Sequence, residues 1–450
     1  MNIVIAGGGK VGEVLCRELS IEGNDIVLIE KKPDRLERII NKNDITGLAG
    51  NGANYDNLVE AGVQNCDIFI AVTPEDEVNI IAAIIAKKLG AAYTIARVRN
   101  PEYAGHMNFV RESLGISLMI NPEMEAAKDI SKVIRFPEAL SVEQFVNGKV
   151  SIVEVEVKSR GRLADTSLWQ FRQEYGDVLV CAVARNNETF IPSGDTVLRE
   201  NDRIFVTGSR KDLTRFYRKS GYKEEKIRSA LIVGGGRVAY YLIRMLSELK
   251  IELKVIEINH EKAQRLSEAF PRTVIIEGDG TDQEFLKEER VDQYDSVVSL
   301  TGVDEENILI SLYAASLGTK KVITKVSRTD LLRILGNVGL QSIITPKRII
   351  ASEIIRFVRS LGNTRGSNVE ALFRIADNEV EALQFHVKSE SKVVGVPLKR
   401  LETKQNLLVA YIIRRHKLIF PSGDDSIRAG DRVIVVTTHK TFDDIDDILK

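Results

Sequence analysis

The strongest constraint on this chain is that it carries the same motif twice. Residues 3–12 read Ile-Val-Ile-Ala-Gly-Gly-Gly-Lys-Val-Gly, and residues 231–239 read Leu-Ile-Val-Gly-Gly-Gly-Arg-Val-Ala. Each is an apolar run that breaks into a glycine turn and then opens an amphipathic pattern. The echo extends beyond the motif: Gly7 matches Gly234, Glu30 matches Glu257, Thr73 matches Thr301, Asn79 matches Asn307 and Arg97 matches Lys325, all at an offset of 227 or 228. A chain that repeats itself over such a distance must fold as two copies of one architecture.

Within each copy, short apolar runs alternate with helical patterns, the signature of a parallel sheet covered on both faces. In the first copy the runs are Ile3–Ala6, Ile26–Glu30, Ile45–Ala49, Ile68–Val72, Thr94–Val98 and Ile116–Ile120. Val11, Val14, Leu15 and Leu19 recur at helical spacing between the first two runs, and residues 78–89 form a strongly apolar helix. Six strands with crossover helices make a doubly wound sheet. Residues 229–345 repeat the pattern.

Asn121-Pro122 and Thr345-Pro346 follow the two sheets, and each pair opens an amphipathic helix, with proline suited to the first helical position. Met124, Ala127, Ile130 and Ile134 define one face in the first helix; Ile350, Ile354, Phe357 and Val358 define it in the second. Such a helix either packs on its own sheet or links the lobes into a larger assembly. Alternation of Val153, Val155 and Val157 with Glu154 and Glu156, echoed at 383–387, marks half-buried strands of two smaller lobes. The turns Pro192-Ser-Gly-Asp and Pro421-Ser-Gly-Asp, each leading to an Asp-Arg pair, punctuate them. The reading is therefore α/β: tandem doubly wound, Rossmann-like domains over 1–121 and 229–345. A linking helix and a small β-rich α+β lobe follow each, over 122–220 and 346–450, and the charged stretch 221–228 joins the halves.

Composition narrows the class. With 44% hydrophobic and 28% charged residues and a formal net charge of −1, the chain has ordinary globular composition. It has no global electrostatic reason to bind nucleic acid, and no basic patch interleaved with aromatics. No apolar run approaches the roughly 18 residues of a membrane helix, and Met1-Asn2-Ile3 enters a strand without the features of a signal peptide. Cys16, Cys66 and Cys181 are odd in number and scattered, against a disulfide framework or a CxxC metal site; buried thiols in a reducing cytoplasm are expected. Asp443, Asp444, Asp446 and Asp447 look like a cation site on paper, but a solvated final helix accounts for them better, and no metal is expected.

In this context the glycines acquire mechanical meaning. In Gly7-Gly8-Gly9-Lys10-Val11-Gly12 the first glycine permits a tight turn, the second lets a pyrophosphate approach the backbone, and the third allows close helix–strand packing. The helix that follows offers unpaired N–H groups and a positive dipole end to phosphates. Glu30, closing the second strand, can accept both hydroxyls of a ribose. It would repel a 2′-phosphate, which favours NAD-type or adenine nucleotides over NADP, although Lys31 and Lys32 soften that exclusion. The second copy offers Gly234, Gly235, Gly236, Arg237 and Val238, with Ala239 as the small third residue and Glu257 in the ribose role; Tyr240 and Tyr241 make its surroundings bulkier. Other recurring positions fall at the carboxyl ends of strands. Asn51 and Asp279 could border an adenosine, Thr73-Pro74 and Thr301 follow the fourth strands, and Arg97 and Lys325 could neutralise a phosphate. Catalytic groups are wanting: His106, His260, His386, His416 and His439 are dispersed, and none has a counterpart in the other half.

The order of Rossmann lobe, linking helix and small β-rich lobe, used twice, resembles the TrkA-type regulatory subunits of bacterial Trk potassium-uptake systems, built from RCK domains. The resemblance rests on Gly7–Gly12 with Glu30, Gly234–Ala239 with Glu257, and the turns at 192–203 and 421–432, and it spans nearly the whole chain. It implies a cytoplasmic protein, peripheral on the inner face of the membrane, docked under a separate potassium-translocating subunit. It also implies NAD(H) as ligand with ATP or ADP as further candidates, and a homotetramer whose lobes form a ring. Carried over by position, the first site uses Gly7 to Gly12, Glu30, Thr73, Pro74 and Arg97. The second uses Gly234 to Val238, Glu257, Thr301 and, in place of the arginine, Lys325. The expected function is nucleotide sensing without catalysis. The rivals are an NAD-dependent oxidoreductase and a regulator of another transporter answering to a different ligand, such as a cyclic dinucleotide.

Overall fold

The computed structural model describes the chain apart from residues 105–106, 146–148, 159–160, 187, 223–225, 329–334, 336–339, 341, 363–367, 377–378, 416 and 441. His106, His416 and the middle of the 221–228 connection therefore lie outside the described residues.

The first sheet is built from β1 (Asn2–Ala6), β2 (Asp25–Glu30), β3 (Thr46–Ala49), β4 (Ile68–Ala71), β5 (Tyr93–Arg97) and β6 (Leu118–Ile120). Its order is β3-β2-β1-β4-β5-β6, and every pairing is parallel. The order reverses beside β1, so a crevice opens at the carboxyl ends of β1 and β4, where ligands of such sheets bind. Crossovers run through α1 (Lys10–Ile21), α2 (Pro33–Ile40), α3 (Tyr55–Glu60) and α4 (Asp76–Leu89); α5 (Pro101–Ala104) and α6 (Met107–Ser113) precede β6, and α7 (Pro122–Arg135) follows it. β1 and β4 are buried almost throughout because both faces of the sheet are covered.

A smaller antiparallel sheet follows: β7 (Val142–Phe145), β8 (Val150–Glu156), β9 (Val178–Arg185), β10 (Glu188–Phe190) and β11 (Arg203–Ser209), with α8 (Leu168–Tyr175) and α9 (Arg210–Ser220). The second half repeats the plan. Its parallel sheet is β12 (Ser229–Val233), β13 (Glu252–Glu257), β14 (Val274–Glu277), β15 (Ser296–Ser299), β16 (Lys321–Lys325) and β17 (Ser342–Ile344), in the order β14-β13-β12-β15-β16-β17. Its helices are α10 (Arg237–Ser247), α11 (His260–Ala269), α12 (Gln283–Glu288) and α13 (Asp304–Ser316), and the linking helix α14 (Pro346–Gly362) follows. The last sheet comprises β18 (Val369–Ile375), β19 (Val380–His386), β20 (Leu407–Arg414), β21 (Lys417–Ile419) and β22 (Arg432–Thr437).

The lobes pair by type rather than by sequence neighbourhood. One compact unit holds residues 1–134 and 227–355, the two parallel-sheet lobes; the other holds 135–226 and 356–450, the two small lobes. Helix α7 shows how the first unit is tied together. Its stripe of Ala126, Ala127, Ile130, Val133 and Ile134 is buried in one core with Ala230 and Ile232 of β12 and Val238, Leu242 and Leu246 of α10. The helix thus leaves its own sheet and covers the other lobe. Burial of each branched side chain there is worth roughly 1.5–3 kcal/mol, so the stripe fastens the two lobes.

In the second unit, Phe145, Ile152 and Phe205 share a core with Tyr411, Ile434 and Val436, and the rings of Phe145 and Phe373 stand 4.1 Å apart. The paired turns prove structural. Buried Asp202 takes Arg185 on both oxygens at 2.7–2.8 Å and caps the Arg199 N–H; Asp431 does the same with Arg414 and the Arg428 N–H. The terminal acidic run forms a short 3-10 turn, Ile445–Ile448, not a solvated helix: Ile445 and Ile448 are buried, and the carboxylates cap backbone N–H groups. The three cysteines are buried and free, and burial pushes their thiols up to about 12.

Candidate functional site

At the carboxyl edge of the first sheet, a cleft opens between the glycine turn, Glu30 with the start of α2, the Gly50–Gly52 loop and Thr73–Pro74. Gly7 holds φ of +107°, and a Cβ there would meet the Thr73 backbone nitrogen at 3.0 Å. Gly12 permits the closest approach: a Cβ would lie 1.9 Å from the Gly7 carbonyl oxygen. Over Gly9 there is open space, and α1 starts there with no side-chain cap. The first N–H groups of a helix have no intrahelical partner, so the uncapped start of α1 presents donors and a positive dipole end to the cleft. α2, α4 and α13 also start without a side-chain cap, whereas α3, α11 and α12 are capped by Asn54, Asn259 and Asp282; what sets α1 apart is the glycine turn that leads into it.

Glu30 is buried at the end of β2. Its Oε2 accepts the Gly8 N–H at 2.6 Å and its Oε1 accepts the Lys32 N–H at 3.0 Å, with Arg35 at 3.6 Å. A carboxylate has about four acceptor positions, so two firm bonds orient it and leave capacity for hydroxyls. Arg35 adds to Lys31 and Lys32 in softening the negative field, a partner the linear sequence concealed.

The second lobe reproduces this frame. Gly235 N–H donates to Glu257 Oε2 at 2.6 Å and Asn259 N–H to Oε1 at 2.9 Å. Gly234 holds φ of +102° against Leu300 and Thr301, Gly236 faces open space, and α10 also starts uncapped. Val11 and Val238 are buried and anchor their helices, whereas Lys10 and Arg237 are exposed. The two tyrosines do not crowd the cleft as their sequence position suggested. Tyr241 turns to the first lobe, where its hydroxyl accepts from Asn121 Nδ2 at 2.7 Å and donates to the Arg99 carbonyl at 3.2 Å; Tyr240 packs on Phe270.

Buried Asn79 and Asn307 hold the loops after the fourth strands. Asn79 accepts the Thr73 N–H at 2.8 Å and donates to the carbonyls of Thr73 and Arg97; Asn307 does the same with Thr301 and Lys325. Asp76 and Asp304, missed in the sequence, each bind two backbone N–H groups beyond the fifth strands; the offset of 228 was the signal that could have found them. Pro74 lines the first cleft. Asn51 and Asp279 spend their side chains on local turns, to the Ala53 N–H and to Thr281 respectively.

Arg97 and Lys325 depart from the expected pose. Arg97 donates to the Thr73 carbonyl, and burial, then neighbouring Arg99, draw its guanidinium down to about 10. Lys325 Nζ donates to the Leu300 carbonyl at 3.2 Å, and burial lowers its pKa. Both sit where the two lobes meet: Arg97 in the field of Arg99, Glu123 and Arg237, and Lys325 in that of Asp304 and Glu123. No group of metal-binding side chains occurs among the described residues, and none of their helices is long and apolar enough to cross a membrane.

The chain matches known proteins over its whole length. The TrkA-N domain matches residues 3–122 and 230–346, and the TrkA-C domain matches 152–221 and 383–450. It is 32% identical to the Trk system potassium uptake protein TrkA homolog 2 of Methanosarcina mazei, covering all of both chains. It is also 32% identical to TrkA of Halomonas elongata, over 98% of this chain and 96% of that protein. Among solved structures, the GsuK channel bound to NAD superposes with a TM-score of 0.64 at 15% identity, over 97% of this chain and 76% of that one. The GsuK RCK domain does so at 0.62 and 16%, over 97% and 92%. With both domain types present twice, in the order its relatives share, the chain belongs to the TrkA family of Trk-system potassium-uptake proteins.

Proposed function

We propose that this chain is the nucleotide-sensing regulatory subunit of a potassium-uptake system, gating a separate membrane subunit that conducts the ion. The observation that carries the reading is the first cleft: an uncapped helix start at a glycine turn, with Glu30 held open beside it. Gly7 to Gly12 and the start of α1 would hold a pyrophosphate, Glu30 a ribose, and Thr73-Pro74 the wall opposite. NAD(H) is the ligand proposed there, and the NAD carried by a channel of the same fold supports it. Gly234 to Val238, Glu257 and Thr301 form the second site.

The bound nucleotide supplies charge and contacts, not a reaction. His386 and His439 belong to the unit of small lobes, and His260, at the edge of the second cleft, is paired with Glu277 at 2.7 Å. Four chains in a ring on the inner face of the membrane complete the proposal. A ligand shifts such an assembly only by its difference in affinity for two conformations, and couplings of about 1–3 kcal/mol change gating roughly 5–150-fold.

Calorimetric titration with NADH tests the reading. Saturable binding, lost or weakened at least about tenfold in Glu30→Ala, with the NADH remaining reduced, is the expected result. No heat at millimolar NADH would remove the nicotinamide from the proposal, and oxidation of the NADH would restore the oxidoreductase.

A further inference from the structure

The two small lobes end in segments of opposite charge. The first closes on α9, which carries five cations and one carboxylate; the matching residues of the second, 439–449, carry four carboxylates and one lysine besides His439. Helical spacing sorts α9 into two faces. Leu213, Phe216, Tyr217 and Ser220 are buried, and the Phe216 ring stands 5.7 and 5.3 Å from those of Phe171 and Tyr175 of α8. At about 100° per residue, Lys211, Arg215 and Arg218 fall on the opposite side, flanked by Arg210 and Lys219.

Arg210, Lys211, Arg218 and Lys219 are exposed, and the first three have no ion-pair partner among the described residues. Asp212, the one carboxylate of the helix, is spent at its start, where it accepts the Ser209 hydroxyl and stands 4.0 Å from Arg215. At the far end Lys219 Nζ donates to the carbonyl of Glu174, which brings one more carboxylate beside that lysine, and Arg162 donates to the Lys219 carbonyl at 3.0 Å. Lys211 with Arg215, and Arg215 with Lys219, stand four residues apart, a spacing at which like charges destabilise a helix. The fold gains nothing from this face; an anionic surface laid against it would.

We propose that the outer face of α9 docks on an anionic lipid bilayer, with Lys211, Arg215 and Arg218 among the headgroup phosphates. The inference rests on the reading of the chain as regulator of a membrane subunit, and adds a direct contact with the lipid. The apolar face of α9 is already used in the core of its lobe, so the contact is electrostatic and involves no insertion. An interface with a folded protein centres on aromatic or apolar anchors, and this face has none; a bilayer offers diffuse negative charge and needs none. The acidic run of a second copy is a poor counterpart, because Asp444, Asp446 and Asp447 are committed to local backbone N–H groups. A bilayer attracts the first small lobe and repels the acidic end of the second, which orients the unit that the two lobes form.

The test is co-sedimentation of the full chain with vesicles of phosphatidylcholine alone and of an equal mixture with phosphatidylglycerol. The expected result is binding to the mixed vesicles only, fading as salt rises from about 0.1 to 0.5 M. Changing Lys211, Arg215 and Arg218 together to Gln should weaken it roughly a hundredfold, at about fivefold per cation. Changing Lys87, Lys88 and Lys262, exposed cations of other helices, together to Gln should leave it nearly unchanged, and thermal unfolding checks that both triple variants are folded. Indifference of the unmodified protein to phosphatidylglycerol overturns the inference and leaves the face to an acidic protein partner. Full binding by the α9 variant, or equal losses in the two variants, overturns it as well. NADH titration of the same preparations separates the readings: NADH bound without lipid binding leaves nucleotide sensing standing, and lipid binding without NADH leaves the docking face standing.

Discussion

The two parallel-sheet lobes are copies that have kept their clefts and changed what surrounds them. Glu30 and Glu257 hold the same bonds to the same turn positions, and Asn79 and Asn307 staple the same loops. Elsewhere the copies diverge. At the closest helix–strand contact the first lobe has Gly12 and the second a buried Ala239. In the sheet core, Ser299, Ser311 and Thr324 form a buried hydroxyl chain, Ser299 to Ser311 and Thr324 to Ser311 each at 2.8 Å. The first lobe fills the equivalent positions with Ala71, Ala83 and Ala96, all buried. Side chains that aim a functional group persist where local backbone geometry demands them; a packing position accepts any solution that is internally complete.

Three substitutions or titrations would break or sharpen that comparison. The largest effect belongs to Gly12→Ala. A Cβ at 1.9 Å from a backbone oxygen forces the turn apart, so a loss of about 1–3 kcal/mol or more is expected in thermal unfolding. Ala239→Gly should cost only about 1 kcal/mol, the price of glycine in a helix. Equal losses would show that the two turns are not spaced differently.

Ser311→Ala comes next. It strips Ser299 and Thr324 of their shared partner, and a cost of about 1–3 kcal/mol is expected. Replacing all three hydroxyl residues together, as the first lobe has done, should be milder than the single change despite removing more bonds. A triple variant worse than the single one would mean that the second core depends on its polar chain.

The smallest effect is a fraction of a proton. Burial and then the positive charge of Lys10 draw the Lys347 ammonium down to about 8, while Asp304 opposes the shift and Lys325 adds to it. Phosphate arriving near it favours the charged form, so nucleotide binding to the second lobe near pH 8 should take up protons, and the uptake should fade toward pH 6, where Lys347 is already charged. Calorimetric heats in buffers of different ionisation enthalpy measure it, and Lys347→Arg should abolish it.

How much of this was legible in the chain depends on how local each feature is. The glycine turns, their strands and Glu30 all lie within one βαβ unit, where spacing along the chain fixes spacing in the fold. Asn79 and Asn307 were visible as repeats, but their role as staples was not, because it depends on strand order. The Asp-Arg turns of the small lobes were legible as punctuation, while Arg185 and Arg414, which complete them, come from strands well upstream.

By itself, then, the sequence determined a duplicated pair of parallel-sheet lobes and the residues that face each glycine turn. Periodicity and turn chemistry act over a few residues and are written directly in residue order. Only the tertiary structure decided where the linking helix α7 docks. An amphipathic stripe such as Ala126, Ala127, Ile130 and Ile134 states that a face must be buried, and not against what. Burial is non-directional and proportional to area, so any complementary apolar surface would satisfy the stripe. Packing against β12 and α10 settled the choice, and in the same unit the Tyr241 hydroxyl meets Asn121 and the Arg99 carbonyl, residues far apart in the chain whose meeting no local pattern could announce.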